Sequence, residues 1–243
     1  MDNSKKTKRK ILVTQALPYA NAPLHLGHIL EAVQTDIWNR FQNLNGNDSL
    51  FFCADDTHGT PVMLKANEMG IKPEQLIADV HKDHKSTYAL YGINFANFYS
   101  THSDENKKYS EYIYECAKNN NLISKSNIEQ YYDEKEEMFL SDRFIKGTCP
   151  KCGAEDQHGD NCGVCGASYD VLEVINPISI ISNSIPIKRE SEHIFFDLPK
   201  KNQMLKDFLK NVDLQKSVKN KLNEWLNDDL KKWDISRDAP YFG

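Results

Sequence analysis

Cys149-x2-Cys152, nine residues, and then Cys162-x2-Cys165 place four thiols in two short hooks. Each hook lets two sulfurs reach one ion from a single turn, and a tetrahedron of four thiolates at about 2.3 Å is the arrangement zinc favours. With every position taken by protein, none is open to a substrate. The spacing therefore predicts one structural zinc per chain, with iron the other metal that accepts this ligand set. Gly147, Gly153, Gly163 and Gly166 flank the hooks, where the backbone has to turn towards the sulfurs. His158 shares the loop, but the four thiolates fill the shell and it reads as a surface histidine. Cys53 and Cys116 stand alone in apolar or helical stretches and read as buried structural thiols.

A second constellation is His25-Leu26-Gly27-His28, at the start of a helical pattern just after an apolar run. A helix N-terminus offers unpaired N–H groups and the positive end of the dipole, which together favour an anion. Gly27 would let a nucleotide approach the backbone, and two histidines one turn apart have donors for phosphate oxygens. By itself the spacing also suits a packing feature or a metal pair. Further along, Asp55-Asp56 opens Asp55-Asp56-Thr57-His58-Gly59-Thr60-Pro61 and carries either a substrate-binding carboxylate or a loop or helix-cap role.

The surrounding elements make these positions intelligible. Ile11-Leu12-Val13-Thr14 reads as a buried strand that runs into a Pro-flanked loop, Leu17 to Pro23. Leu26, Ile29, Leu30, Val33, Ile37 and Phe41 then recur at helical spacing as far as Asn45-Gly46. A second buried run, Leu50 to Ala54, precedes another helical segment through Val62, Leu64 and Met69, so the order is strand, helix, strand, helix. That order implies a parallel sheet with helices on its faces. Helical stretches follow at Pro73–Tyr91 and Asp104–Asn120, around a strand candidate at Asn97–Thr101. From Ser124 to Val174 short alternating pieces, the cysteines and most glycines mark an inserted β and metal module. A helical region from about Gln203 to Lys232 and a closing stretch, Trp233 to Gly243, complete the chain. The expected domains are residues 8–120, 121–230 and 231–243.

The 243 residues are 40% hydrophobic, enough for a buried core, and 30 Lys plus Arg against 35 Asp plus Glu leave a net charge of −5. That balance argues against non-specific coating of nucleic acid, so RNA contacts must be local. No apolar run approaches the ~18 residues of a membrane span, and no hydrophobic stretch follows the basic start MDNSKKTKRK. A cytoplasmic chain without membrane partners is expected.

Ala16-Leu17-Pro18-Tyr19-Ala20-Asn21, followed by His25-Leu26-Gly27-His28, resembles the first signature of the class I aminoacyl-tRNA synthetases in its methionyl form. The resemblance extends to Cys53–Pro61, to the cysteine hooks and to Trp233–Gly243, and so covers the chain from Lys10 onwards. It implies an α/β fold: the first half of a Rossmann-type parallel sheet, interrupted by a zinc-binding connective insertion. It also implies a methionine–tRNA ligase with methionine, ATP brought with Mg, and tRNA(Met) as partners. Carried over, His25 and His28 hold the ATP phosphates, and Tyr19 with backbone groups of Ala16 and Leu17 lines the methionine pocket. Asp56 accepts the substrate ammonium, leaving Asp55 the loop role. Arg237 pairs with Asp56 or orients the substrate carboxylate. The family's second signature, a KMSKS-type loop, has no counterpart here, since Ile123-Ser124-Lys125-Ser126 lacks the leading lysine and opens the insertion. The chain is therefore expected to be a truncated N-terminal part, incomplete for catalysis. The alternative is a non-catalytic, zinc-stabilised fragment that binds nucleotide or tRNA.

Overall fold

The computed structural model describes residues 8–227 and 230–243; most of the basic start and part of the expected helix through Lys232 lie outside the described residues. By internal contacts the chain divides into two compact units. One comprises the described residues up to Lys107 together with Tyr241–Gly243, and the other is Lys108–Pro240. Residues 231–240 thus group with the insertion.

The first unit alternates β1 (Lys10–Thr14), α1 (Leu26–Leu44), β2 (Asp48–Asp55), α2 (Thr60–Met69), α3 (Pro73–Leu90) and β3 (Asn97–Ser100). The strands form one parallel sheet in the order β1-β2-β3, with Leu12 opposite Leu50 and Cys53 opposite Phe98. Ile29 and Ala32 of α1, Phe51 and Cys53 of β2, Tyr88 of α3 and Phe98 of β3 share one core. Ala20, Val62, Ala66, Leu76 and Ile77 form a second, against which Tyr19 and Phe242 pack.

Three expectations change here. The strand read as buried lies at the sheet edge, so Leu12 is 72% exposed, and only Val13 packs on the core. The apolar periodicity of α1 locates the helix but not its docked face, for Leu26, Leu30, Ile37 and Phe41 are exposed while Asp36 and Asn39 are buried. These polar groups are tolerated inside because each is paired: Asp36 accepts from Arg40 Nε at 2.6 Å, and Asn39 Oδ1 accepts from Ser49 Oγ at 2.7 Å. Cys53 is buried as expected, whereas Cys116 is only half-buried.

The second unit contains most of α4 (Asp104–Asn119), which buries none of its residues. Its main sheet is antiparallel: β4 (Ile123–Asp133) pairs with β5 (Met138–Phe139) and, over ten residues, with β9 (Ile187–Phe196). Ile123–Ser126 thus begins a strand, and Lys125 Nζ meets Glu192 Oε1 across the ladder at 2.6 Å. A smaller sheet joins β6 (Ile145–Thr148) to β7 (Gln157–His158) and β8 (Ile175–Ser179). The expected C-terminal helical region is two helices, α5 (Asn202–Lys210) and α6 (Lys216–Asn227). Asn211 separates them, its side chain donating to the Asp207 carbonyl at 3.1 Å and its N–H to that of Phe208 at 3.0 Å. β10 (Trp233–Asp234) then pairs with β9, which holds residues 233–240 of the closing stretch in this unit. Among the described residues no helix is long and apolar enough to cross a membrane.

Candidate functional site

The carboxyl ends of parallel strands are where α/β sheets gather ligands, because the chain leaves each strand there and splays into loops. In the first unit those ends deliver the loop after β1 and residues 56–59 after β2. The two are stitched together: the Asp56 N–H donates to the Pro18 carbonyl at 2.9 Å, and the Ala20 N–H to that of Asp56 at 2.8 Å. Tyr19 is therefore carried beside Asp56. Its hydroxyl donates to the His58 carbonyl, and burial, then the Asp56 charge, raises its pKa. Burial likewise raises the Asp56 carboxyl, against an opposing pull from His58. A carboxylate partly stripped of water gains most from a cationic ligand.

Asp55 points the other way. It is fully buried, and its two carboxylate oxygens meet His81 Nδ1 at 2.5 Å and His84 Nδ1 at 2.7 Å. Neither aspartate caps α2, whose N-cap is Gly59. The cap role allowed for them is thus corrected: Asp55 anchors two histidines of α3.

At the head of α1 the two signature histidines make a capping box with imidazoles in place of the usual hydroxyl and carboxylate. His25 Nδ1 accepts the Gly27 N–H at 3.1 Å, and His28 Nδ1 accepts the His25 N–H at 3.3 Å. An Nδ1 that accepts carries no proton, so each neutral ring has its proton on Nε2, a free donor at a helix N-terminus. Burial, followed by the charges of His25 and His84, lowers the His28 pKa, which favours the neutral ring. Gly27 serves the box directly, since a Cβ there would sit 2.9 Å from His25 Cε1. Ala16 donates its N–H to Glu31 Oε1 at 2.8 Å, while Leu17 is largely exposed.

Sequence reasoning gave little weight to His58, His81, His84, His102 and Phe242. His58 Nε2 lies 3.0 Å from His102 Nδ1, and Phe242 stacks on His102 while its carbonyl accepts the Gly59 N–H at 2.9 Å. His58 and Phe242 were visible within the Asp55–Pro61 motif and the Trp233–Gly243 stretch. His81, His84 and His102 come from other elements and carry no local signal.

In the second unit, Arg237 is 67% exposed on the side chain, with Nη1 donating to the Ser236 carbonyl at 2.6 Å. Its segment is clamped by His193, whose Nδ1 is 2.6 Å from Asp234 and whose Nε2 is 2.9 Å from Asp238.

The four cysteines converge as their spacing requires. Their sulfurs all lie within 4.8 Å of one another, with Cys149 3.9 Å from Cys165 and Cys152 3.7 Å from Cys162. A disulfide needs about 2.05 Å, whereas a tetrahedron with ~2.3 Å arms separates its sulfurs by about 3.8 Å. The donor set therefore fits a metal ion. The hooks are built alike: Gly153 and Gly166, both at positive φ, donate to the carbonyls of Cys149 and Cys162 at 3.0 and 2.9 Å. The Lys151 and Cys165 N–H groups point at the sulfurs of Cys149 and Cys162, each at 3.4 Å. His158 is half-buried in β7, not a surface residue, and lies outside the cluster.

The family described as tRNA synthetases class I (M) matches residues 11–243. Two structures of Mycobacterium tuberculosis methionyl-tRNA synthetase, one in complex with methionyl-adenylate and one bound by it, each superpose with a TM-score of 0.71. Their identities are 20% and 19%, over 97% of this chain and 42% of theirs. The ternary complex of Agrobacterium radiobacter K84 agnB2 LeuRS with tRNA and LeuAMS superposes at 0.62, with 21% identity over 91% of this chain and 25% of that one. The chain thus spans less than half the length of these relatives.

Proposed function

The chain belongs to the class I tRNA synthetases (M), a family of ligases, and on that premise we propose that it serves methionine activation by ATP and transfer of the methionyl group to tRNA(Met). The observation that carries this reading is the juxtaposition in one unit of two outward imidazole donors at the head of α1 with Tyr19 bridged to Asp56. The bound methionyl-adenylate of the Mycobacterium tuberculosis relatives supports methionine as the amino acid.

In the activation step an oxygen of the methionine carboxylate attacks the α-phosphorus of ATP. The new P–O bond forms as the bond to the β-phosphate bridge breaks, and pyrophosphate leaves with its Mg. No covalent nucleophile from the protein is needed, so catalysis is a matter of position and charge. The Nε2–H groups of His25 and His28 donate to the phosphates, helped by the free amides of the helix end. Asp56 takes the ammonium, and Tyr19 offers an aromatic face to the thioether. Ala16 and Leu17 lend backbone to that pocket. In the second step a ribose hydroxyl at the tRNA end attacks the acyl carbon and AMP departs. Cys149, Cys152, Cys162 and Cys165 would hold one zinc, which supplies cross-linking of the hooks and no reaction step. Reduced thiols suit the cytoplasm as location.

The test is amino-acid-dependent ATP–pyrophosphate exchange by the intact gene product, with methionine, leucine, isoleucine and valine compared. Exchange specific to methionine is expected. Exchange driven by another amino acid, or none, overturns the assignment.

A further inference from the structure

His84 has no part in the activation step described above, yet it is fully buried and both of its ring nitrogens are engaged. Nδ1 lies 2.7 Å from Asp55 Oδ1, and Nε2 lies 2.8 Å from the Ala22 carbonyl. A carbonyl oxygen only accepts, so Nε2 carries a proton. Asp55 already faces His81 Nδ1 through its other oxygen. A fully buried carboxylate between two imidazoles is satisfied when both donate. The consistent assignment is His84 as an imidazolium, with one N–H to each end of the bridge.

The two ends matter because of where they lie. Ala22 is midway along the loop from Tyr19 to His25, and Asp55 is the residue before Asp56 at the tip of β2. We propose that His84 is a positioning residue for amino-acid activation, tying the loop that presents Tyr19 and His25 to the strand end that presents Asp56. This rests on the activation reading above. Without the bridge, the Ala22 carbonyl loses its buried donor, and the Ala22–His25 stretch is left tied to the strand end only through the Tyr19–Asp56 backbone bridge, the Tyr19 hydroxyl bond to the His58 carbonyl and the packing of Ala20.

The electrostatics agree. Burial pulls the His84 pKa down, but the Asp55 and Ala22 hydrogen bonds and the charges of Asp55 and Asp83 outweigh it, and the net shift is upward. The titratable groups facing the ring are Asp55 from β2, His81 and Asp83 from α3, and His28 from α1. A group whose folded pKa is raised contributes in full below its unfolded value near 6.5 and loses that contribution as pH climbs through the folded value. Loop attachment is thus complete below about 6.5 and weakens as pH rises through the raised value.

Two substitutions separate the ends. In His84→Asn the amide nitrogen falls near the Nδ1 position and serves Asp55 alone; in His84→Gln it falls near Nε2 and can still reach Ala22. With the intact gene product, His84→Asn is expected to raise the methionine KM and lower kcat together, by about 100-fold in kcat/KM. His84→Gln is expected to retain most of the activity. A purely structural role would reverse the ranking, because the buried Asp55 carboxylate costs most when deserted, and would reduce active enzyme without moving KM. Amide exchange of wild-type Ala20 and Asp56 should accelerate with rising pH beyond the intrinsic trend, while amides of the central strand pairing do not; this holds even if neither variant folds. Wild-type KM in His84→Asn, the reversed ranking, or a loop insensitive to pH overturns the proposal. Absence of methionine-dependent exchange in the wild type overturns the activation reading itself, and the loop-amide result distinguishes that failure from this one.

Discussion

The rings of His25 and His28 stack with centroids 3.7 Å apart and planes 19° from parallel. Each uses Nδ1 to cap a backbone N–H of the helix it begins. Cap and candidate phosphate donor are therefore the same side chain, with the roles divided between its two nitrogens. His25→Asn separates them, since asparagine is among the best N-caps but cannot extend a donor to the Nε2 position. The expected outcome is near wild-type thermal stability with pyrophosphate exchange reduced about 100-fold. A parallel loss of stability and activity would show that capping is all the ring does.

The same box has a pH limit opposite in sign to that of His84. Burial, then the charges of His25 and His84, depress the His28 pKa, with Glu31 opposing. A depressed folded pKa means the contribution is complete above the ordinary value of 6.5 and is lost as pH falls through the folded value, where Nδ1 gains a proton and stops accepting. His58, lowered by burial and then by His102, moves in the same direction. Exchange of the His25 amide should therefore lose protection as pH falls, while the Tyr19 loop loosens as pH rises. Simultaneous loss at one end of the range would contradict both assignments.

Asp55 and Asp56 are adjacent but differ in consequence. Removing Asp55 deserts the fully buried His84 and the partly buried His81, so Asp55→Ala should cost about 3 to 5 kcal/mol of stability, read from denaturant unfolding. Asp56→Ala leaves the buried cluster intact and should spare stability while lowering methionine-dependent exchange by at least ~100-fold. An exchange-active Asp56→Ala would remove that residue from the substrate site.

For the cysteines, purified protein should contain about one equivalent of zinc, and Cys152→Ala or Cys162→Ser should lose it. The small sheet of β6, β7 and β8 should loosen, with faster exchange of its amides, and the parallel sheet should keep its protection because it belongs to another compact unit. Protein that contains iron, or no metal, would overturn the zinc assignment.

Local chemistry was legible without a fold. The two CxxC hooks specify a four-sulfur cluster because the ligands sit on single turns whose geometry depends on their own glycines. The helix head at His25 was legible for the same reason: a cap is decided within four residues. The order of β1, α1 and β2 follows from apolar runs whose lengths separate strands from helices. What the residues around these features do was decided by tertiary structure. The apolar positions of α1 could not show that Asp36 and Asn39 face inward, because besides Arg40 of the same helix their partners, Asn94 and Ser49, come from other parts of the chain. Nor could the Asp55-Asp56 pair show which carboxylate is buried. In an extended strand successive side chains point to opposite faces, and only the packing of α3 puts His81 and His84 on the Asp55 side. The bridge from His84 to Ala22 spans 62 residues, and no periodicity or motif encodes a contact between a helix interior and the loop that folds over it.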